Sequence, residues 1–204
     1  MNLLSVDYAL IAQEAYSAKP DIGSVPGPSC AIVRNTADGL VIAFPGTDSI
    51  ADLLTDFNVT PTAVPGLGRI HNGFWQAWSA IAPQVESAAG DAPVTFVGHS
   101  LGAALAIIAG ASRVAAGKPV QAVYGFEPPR VSPEPTIGNV LAKTSVILFK
   151  NGNDAVTDVP PLWPQSAKLI GIGTPRYPWP NLRDHAIARV ITALQAIAGS
   201  GVPA

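Results

Sequence analysis

One pentapeptide limits what this chain can fold into more than any other. Gly98-His99-Ser100-Leu101-Gly102 lies between a short, wholly apolar run, Val94 to Val97, and an alanine-rich helical stretch, Leu101 to Ala116. A strand that turns sharply into a helix through Gly-x-Ser-x-Gly holds its serine in a strained conformation, and the flanking glycines keep strand and helix from colliding. The hydroxyl is thereby presented at the end of a sheet. The first amides of the helix, including that of Leu101, face any negative charge that forms beside it. Ser100 is therefore the candidate nucleophile and Leu101 a candidate oxyanion donor.

The rest of the chain supplies elements that suit such a turn. Leu4, Tyr8, Ile11, Ala12 and Ala15 share one face of an opening helix. Cys30 to Arg34 and Leu40 to Phe44 read as two strands of a hairpin joined by Thr36-Ala-Asp-Gly, with Gly39 at the special position. Ser49 is placed to cap a short helix through Asp56, and Val59 to Gly68 reads as a Pro/Gly-rich loop. Phe74, Trp78, Ile81 and Val85 fall at helical spacing, which Pro83 should kink or restart. Val120 to Phe126, Ser145 to Phe149 and Leu169 to Ile172 repeat the short apolar strand pattern, with a helical candidate near Ile137 to Ala142. Asp184 can cap a last helix whose Ile187, Val190, Ile191, Leu194 and Ile197 form an apolar stripe that Gly199 stops. The expectation is one compact α/β domain over residues 1–204, with a mostly parallel central sheet and helices on both faces.

Composition removes other classes. Apolar residues make up 48% of the 204 and charged residues 13%, against a usual quarter or so, which excludes disorder. The net charge is −2 and the 12 Lys and Arg are scattered, so no footprint for nucleic acid exists. A single cysteine, Cys30, excludes an internal disulfide, and no Cys/His spacing suggests zinc. The first residues carry no Lys or Arg before their apolar stretch, so the given chain shows no signal peptide, and its longest apolar run is half a membrane span. A soluble protein is expected, cytoplasmic or secreted by a route the chain does not display, with a monomer favoured.

A serine at its ordinary pKa needs a general base, and three histidines exist. His99 is covalently adjacent to Ser100 and should point away from the hydroxyl. His71 precedes the core helix and should pack. His185, at the start of the last helix, can reach across the carboxyl edge of the sheet and is the predicted base. The base needs a buried carboxylate to fix its tautomer, and between 100 and 185 the choices are Glu127, Glu134, Asp154, Asp158 and Asp184. Asp154 lies just past a strand's carboxyl end and is preferred. Asp158 is the alternative acid, and Asp184 is assigned to the helix cap.

With these residues in place, the chain resembles the class 3 lipases, the family of the fungal triacylglycerol lipases and some feruloyl esterases, over nearly its whole length. Val41-Ile-Ala-Phe-Pro-Gly-Thr-Asp-Ser is similar to the family's F-R-G-[ST]-x-S segment, which implies an oxyanion-hole amide at Thr47; Pro45 stands where the family has Arg. Ile50 to Asn58 resembles the segment carrying the family's lid. His71-Asn-Gly-Phe matches H-x-G-F, where the histidine is structural, and Gly125 to Val131 resembles G-x-P-R-V. Asn153-Asp-Ala-Val-Thr-Asp-Val-Pro-Pro is similar to N-D-x-V-P-x-L-P-P around the catalytic Asp, which favours Asp154, with Thr157 in place of a Pro. Asp184-His185 resembles the terminal D-H. The stretch from Asp154 to His185 is short for the family, which implies trimmed loops and a more open groove.

The resemblance implies an α/β-hydrolase fold and a serine carboxylic-ester hydrolase acting through an acyl-enzyme on lipid or short- to medium-chain esters. It implies transient contact with a lipid–water interface and no cofactor or metal. Feruloyl-type esterase, phospholipase A1 and acyltransferase are alternatives on the same triad, and a non-catalytic binding module on the same fold is a further one.

Overall fold

The computed structural model describes residues 3–23, 29–47 and 60–199. A six-stranded sheet forms its centre, in the order β1 (Ile32–Thr36), β2 (Gly39–Phe44), β5 (Val94–His99), β6 (Val120–Phe126), β7 (Ser145–Asn151) and β8 (Leu169–Ile172). Only the β1–β2 hairpin pairs antiparallel; its turn is closed by Gly39 at φ +107°, a conformation that favours glycine. The remaining pairs are parallel, as their short apolar runs predict, and β5 is buried at every residue.

Alternation along the strands divides the core in two. Ile42, Phe44, Phe96, Val123 and Leu148 face α2 (Asn72–Ala89) and α3 (Leu101–Ala115). Val41, Ala43, Val97, Phe126 and Phe149 face α1 (Ser5–Glu14) and α5 (Ile187–Gly199). Helices thus cover both faces. The predicted stripe of α5 buries Val190, Ile191 and Leu194. In α1 the buried face is Tyr8, Ala9 and Ala12, followed by Ala15; Leu4 is more than half exposed at the helix start and Ile11 only half-buried. A short α4 spans Thr136–Val140, one residue ahead of the expected Ile137 to Ala142.

At two places the structure sharpens the expectation. Residues expected as a loop up to Gly68 contain β3 (Pro61–Val64), which pairs antiparallel with β4 (Gly68–His71) in a separate two-stranded sheet, with Val64 and Ile70 buried. Pro61 opens its strand, where a missing N–H costs little. Pro83 does not break α2: the proline and Ser79, whose carbonyl loses its helical donor, are both exposed, so water can satisfy it. Phe74, Trp78, Ile81 and Val85 meanwhile anchor the opposite face. The helix expected from Ser49 to Asp56 and the lid segment Ile50 to Asn58 lie outside the described residues. No helix among the described residues is long and apolar enough to cross a membrane.

Candidate active site

The turn at Ser100 has the geometry that its sequence demands. Ser100 adopts φ +59° and ψ −126° between β5 and α3. Its N–H donates to the Phe126 carbonyl at 2.9 Å, and its own carbonyl accepts from the Ala103 N–H at 2.9 Å. A Cβ at Gly98 would strike the Gly102 carbonyl, and one at Gly102 would strike those of Phe44 and Pro45. The second contact presses the end of β2 and Pro45, two residues before the half-buried Thr47, against the first turn of α3, where Leu101 begins the helix.

His185 stands two residues before α5 and is almost wholly buried. Its Nδ1 lies 3.1 Å from Oδ1 of Asp154, which also accepts the Val156 N–H at 3.1 Å. Ser100 Oγ and His185 Nε2 are both buried and have no hydrogen-bond partner among the described residues. Thr47, His99 and His185 line a cavity of about 800 Å³, together with Leu10, Leu182 and Ile187.

His99 is turned to structural work, as expected. Its Nε2 is 2.7 Å from the His185 carbonyl, which can only accept, so Nε2 carries the proton and Nδ1 accepts from the Tyr16 hydroxyl at 2.6 Å. Burial, and then the neighbouring His185, push His99 down to about 3, which keeps it neutral. His71 ends β4, accepts the Phe74 N–H through Nδ1 and stacks on the Phe74 ring at 3.9 Å, so it packs as predicted.

The two candidate acids separate. Asp158 turns to Lys150 at 2.9 Å and Arg130 at 3.7 Å, with its side chain nearly half exposed. Asp154 is fully buried. Burial alone would raise its carboxyl; bonds with Glu127, His185 and the Val156 amide outweigh that and hold it below the ordinary value. Asp184 corrects an expectation, because it does not cap α5. Its buried carboxylate accepts the backbone N–H groups of Asn153 at 3.0 Å and Arg176 at 2.9 Å, and Asn181 Nδ2 at 3.1 Å, tying three loop segments together.

Glu127 is one of the five carboxylates between positions 100 and 185, and its sequence context assigns it no role. A carboxyl oxygen of Glu127, one of Asp154 and a ring nitrogen of His185 all lie within 4.8 Å of one another. These three could be considered as metal ligands. The Nδ1 that faces Asp154 needs its proton for that bond, however, and a protonated ring nitrogen has no lone pair for a cation. Within the cluster, His185 and Asp154 form the hydrogen-bonded pair.

A mostly parallel sheet carrying a strained serine between strand and helix, with a histidine and a buried aspartate beyond later strands, defines the α/β-hydrolase class. Residues 41–163 match the sequence profile of the family described as lipase (class 3), and the chain belongs to that family. The secreted mono- and diacylglycerol lipase 1 of Fusarium solani is 31% identical over 157 residues, covering 69% of this chain and 46% of that one. The secreted mono- and diacylglycerol lipase A of Penicillium cyclopium is 30% identical over 138 residues, covering 63% and 45%. The chain thus spans under half the length of these curated relatives. Among solved structures, an MDLA mutant of Penicillium cyclopium superposes with a TM-score of 0.66 at 20% identity, covering 98% of this chain and 88% of that one. The Rhizomucor miehei lipase–propeptide complex gives 0.60 at 19%, covering 76% and 62%.

Proposed function

We propose that the protein is a serine carboxylic-ester hydrolase with Ser100 as nucleophile, His185 as general base and acid, and Asp154 as the carboxylate that orients His185. The observation that carries the reading is the pairing of His185 Nδ1 with buried Asp154. It directs the neutral Nε2 lone pair away from the acid, and Ser100 Oγ, at the strained turn, is a buried hydroxyl still in need of an acceptor.

In the first half-reaction Nε2 takes the Ser100 proton as Oγ attacks the ester carbonyl. The oxyanion is held by the amides of Thr47 and Leu101, each such donor being worth on the order of a hundred- to a thousandfold in turnover. The imidazolium, stabilised by Asp154, protonates the leaving alcohol. Water then repeats the sequence on the acyl-enzyme and frees the acid. The relatives named above act, by their names, on mono- and diacylglycerols, and the apolar Leu10, Leu182 and Ile187 beside His185 suit an acyl chain. The proposed substrates are therefore lipid or short- to medium-chain esters, acylglycerols first.

The test is hydrolysis of a p-nitrophenyl ester series and of monoacylglycerols by the wild type and Ser100→Ala. A working nucleophile lost should lower turnover roughly a millionfold. Full turnover in Ser100→Ala would refute the assignment, and a wild type inactive on every ester would refute the activity.

A further inference from the structure

Glu127 sits where a carboxyl group is hardest to keep. It follows the last residue of β6 and is fully buried. Its φ is +56°, in the left-handed region that a non-glycine residue occupies at a cost of about 1–3 kcal/mol. Glycine would relieve that strain and remove the buried acid as well, so the side chain must have compensating contacts.

Oε1 of Glu127 accepts the Asn151 N–H at 2.6 Å. Oε2 has no conventional partner among the described residues, and neither has Oδ2 of Asp154, although the two carboxyl groups are neighbours. Two acceptors facing each other in a dry site repel unless a proton lies between them. The groups facing Glu127 are Asp154 from the loop after β7, Asn151 and the more distant Lys150 from β7, and His185 from beyond that loop. Burial first, then the bond and charge of Asp154, raise Glu127 well above the ordinary carboxylic range, while Asp154 stays ionised.

We infer that Glu127 is a positioning residue which keeps its proton and donates it to Oδ2 of Asp154, fixing the carboxylate plane that presents Oδ1 to His185. This rests on the triad proposed above and extends it to a fourth side chain. The geometry gives that side chain leverage on both halves of the site. Phe126, to which Glu127 is joined, holds the Ser100 N–H, while Asn151, which Glu127 accepts from, donates its side-chain amide to the Asp184 carbonyl next to His185. The proton is not passed on in the cycle; it stays on Glu127.

The experiment compares wild type, Glu127→Gly and Glu127→Gln in p-nitrophenyl ester hydrolysis across pH, with fluorophosphonate labelling of each. Glu127→Gly suits the positive φ and removes the donor. Its kcat should fall roughly 10- to 100-fold with KM little changed, the scale seen when a group supporting a functional residue is lost. The acid limb of its kcat/KM profile should move to higher pH, because an unshared Asp154 charge holds the His185 proton more tightly. Glu127→Gln keeps one acceptor for Asn151 and one donor for Asp154, so it should rescue most of the lost kcat with the acid limb in the wild-type position. An acid limb that moves to lower pH in Glu127→Gln would show an ionised Glu127 and overturn the inference, as would wild-type kcat in Glu127→Gly. If the Gly variant fails to fold, thermal unfolding of wild type and Glu127→Gln decides. A proton retained on folding makes the Gln variant gain in melting temperature over wild type as pH rises above the ordinary Glu range; a constant difference refutes it. A wild type that is neither active nor labelled would instead overturn the proposed triad.

Discussion

Asp154→Asn and Asp158→Asn pose the sharpest question, since either aspartate satisfies the chain order of a hydrolase triad. Asp154 Oδ1 stands 3.1 Å from His185 Nδ1 in a site closed to water. Coulomb's law at that separation with an effective dielectric of about 20 gives about 5 kcal/mol of attraction to an imidazolium that forms only during the reaction. Because the charge appears in the transition state, this loss falls on kcat, and at 1.36 kcal/mol per decade it is roughly 10⁴-fold. An amide at 154 has a further difficulty: its NH₂ must face either His185, favouring the wrong tautomer, or the Glu127 carboxyl. Asp158 by contrast makes partly exposed ion pairs, worth at most about 1 kcal/mol of stability, with Lys150 and Arg130. Turnover of p-nitrophenyl butyrate at pH 8, with circular dichroism to confirm folding, should show Asp154→Asn reduced by roughly 10³–10⁴ and Asp158→Asn close to wild type. The reverse order, or an Asp154→Asn protein keeping a tenth of its turnover, would refute the assignment of the acid.

Other outcomes are equally definite. Covalent capture by a fluorophosphonate should be stoichiometric in the wild type and absent in Ser100→Ala, read by intact mass; labelling at another serine would displace Ser100 as nucleophile. His99 is neutral down to about 3 when folded but titrates near 6.5 when unfolded, so the unfolded chain binds the extra proton between those values. Wild-type stability should accordingly fall relative to His99→Gln as pH drops from 6 to 4, by about 1.4 kcal/mol per unit in urea titrations, with parallel curves refuting a buried neutral ring. Arg113 is fully buried and its guanidinium donates to Glu86 Oε2 at 2.9 Å and to the carbonyls of Gly90 and Ala92. Arg113→Ala should cost about 3–5 kcal/mol of unfolding free energy, and a cost under 1 kcal/mol would mean that this network contributes little.

What the chain announced in advance were features written in adjacent residues. The strand–Ser100–helix unit, the Gly39 hairpin and the stripe of α5 each depend on spacing within one element, and the observed elements follow them. Features that depend on distant partners were not legible. Arg113 reads as an ordinary cation in the last turn of an alanine helix, because three of its acceptors, Glu86 and the carbonyls of Gly90 and Ala92, lie 21 to 27 residues earlier. Asp184 looks like a cap because it precedes a helix, yet the donors its carboxylate accepts from are amides brought together by the loops at 153 and 176. Glu127 gave one faint signal, an acidic residue placed directly behind an apolar strand. In β3, proline and glycine hid a hairpin that tertiary packing of Val64 and Ile70 supports.

The precision the proposed triad needs is hard to reconcile with its position, since Asp154 and His185 both lie on irregular chain between β7 and α5. The hydrogen bonds resolve the difficulty by referring both residues to the sheet. His99 ends β5 and donates to the carbonyl of His185, with Tyr16 fixing the His99 tautomer from behind. Asn151 ends β7 and donates to the carbonyl of Asp184, the residue before, so the two peptides around His185 hang from two different strands. Asp184 spends its own carboxylate on the loop amides, and Glu127 at the end of β6 reaches the acid. Three adjacent strand ends therefore set the geometry; of the side chains they contribute Asn151 is neutral by chemistry, burial keeps His99 neutral, and Glu127 as proposed above is neutral by environment. A neutral support is what the chemistry asks for, because a fixed extra charge beside His185 would shift the proton affinity on which the base and acid steps both depend.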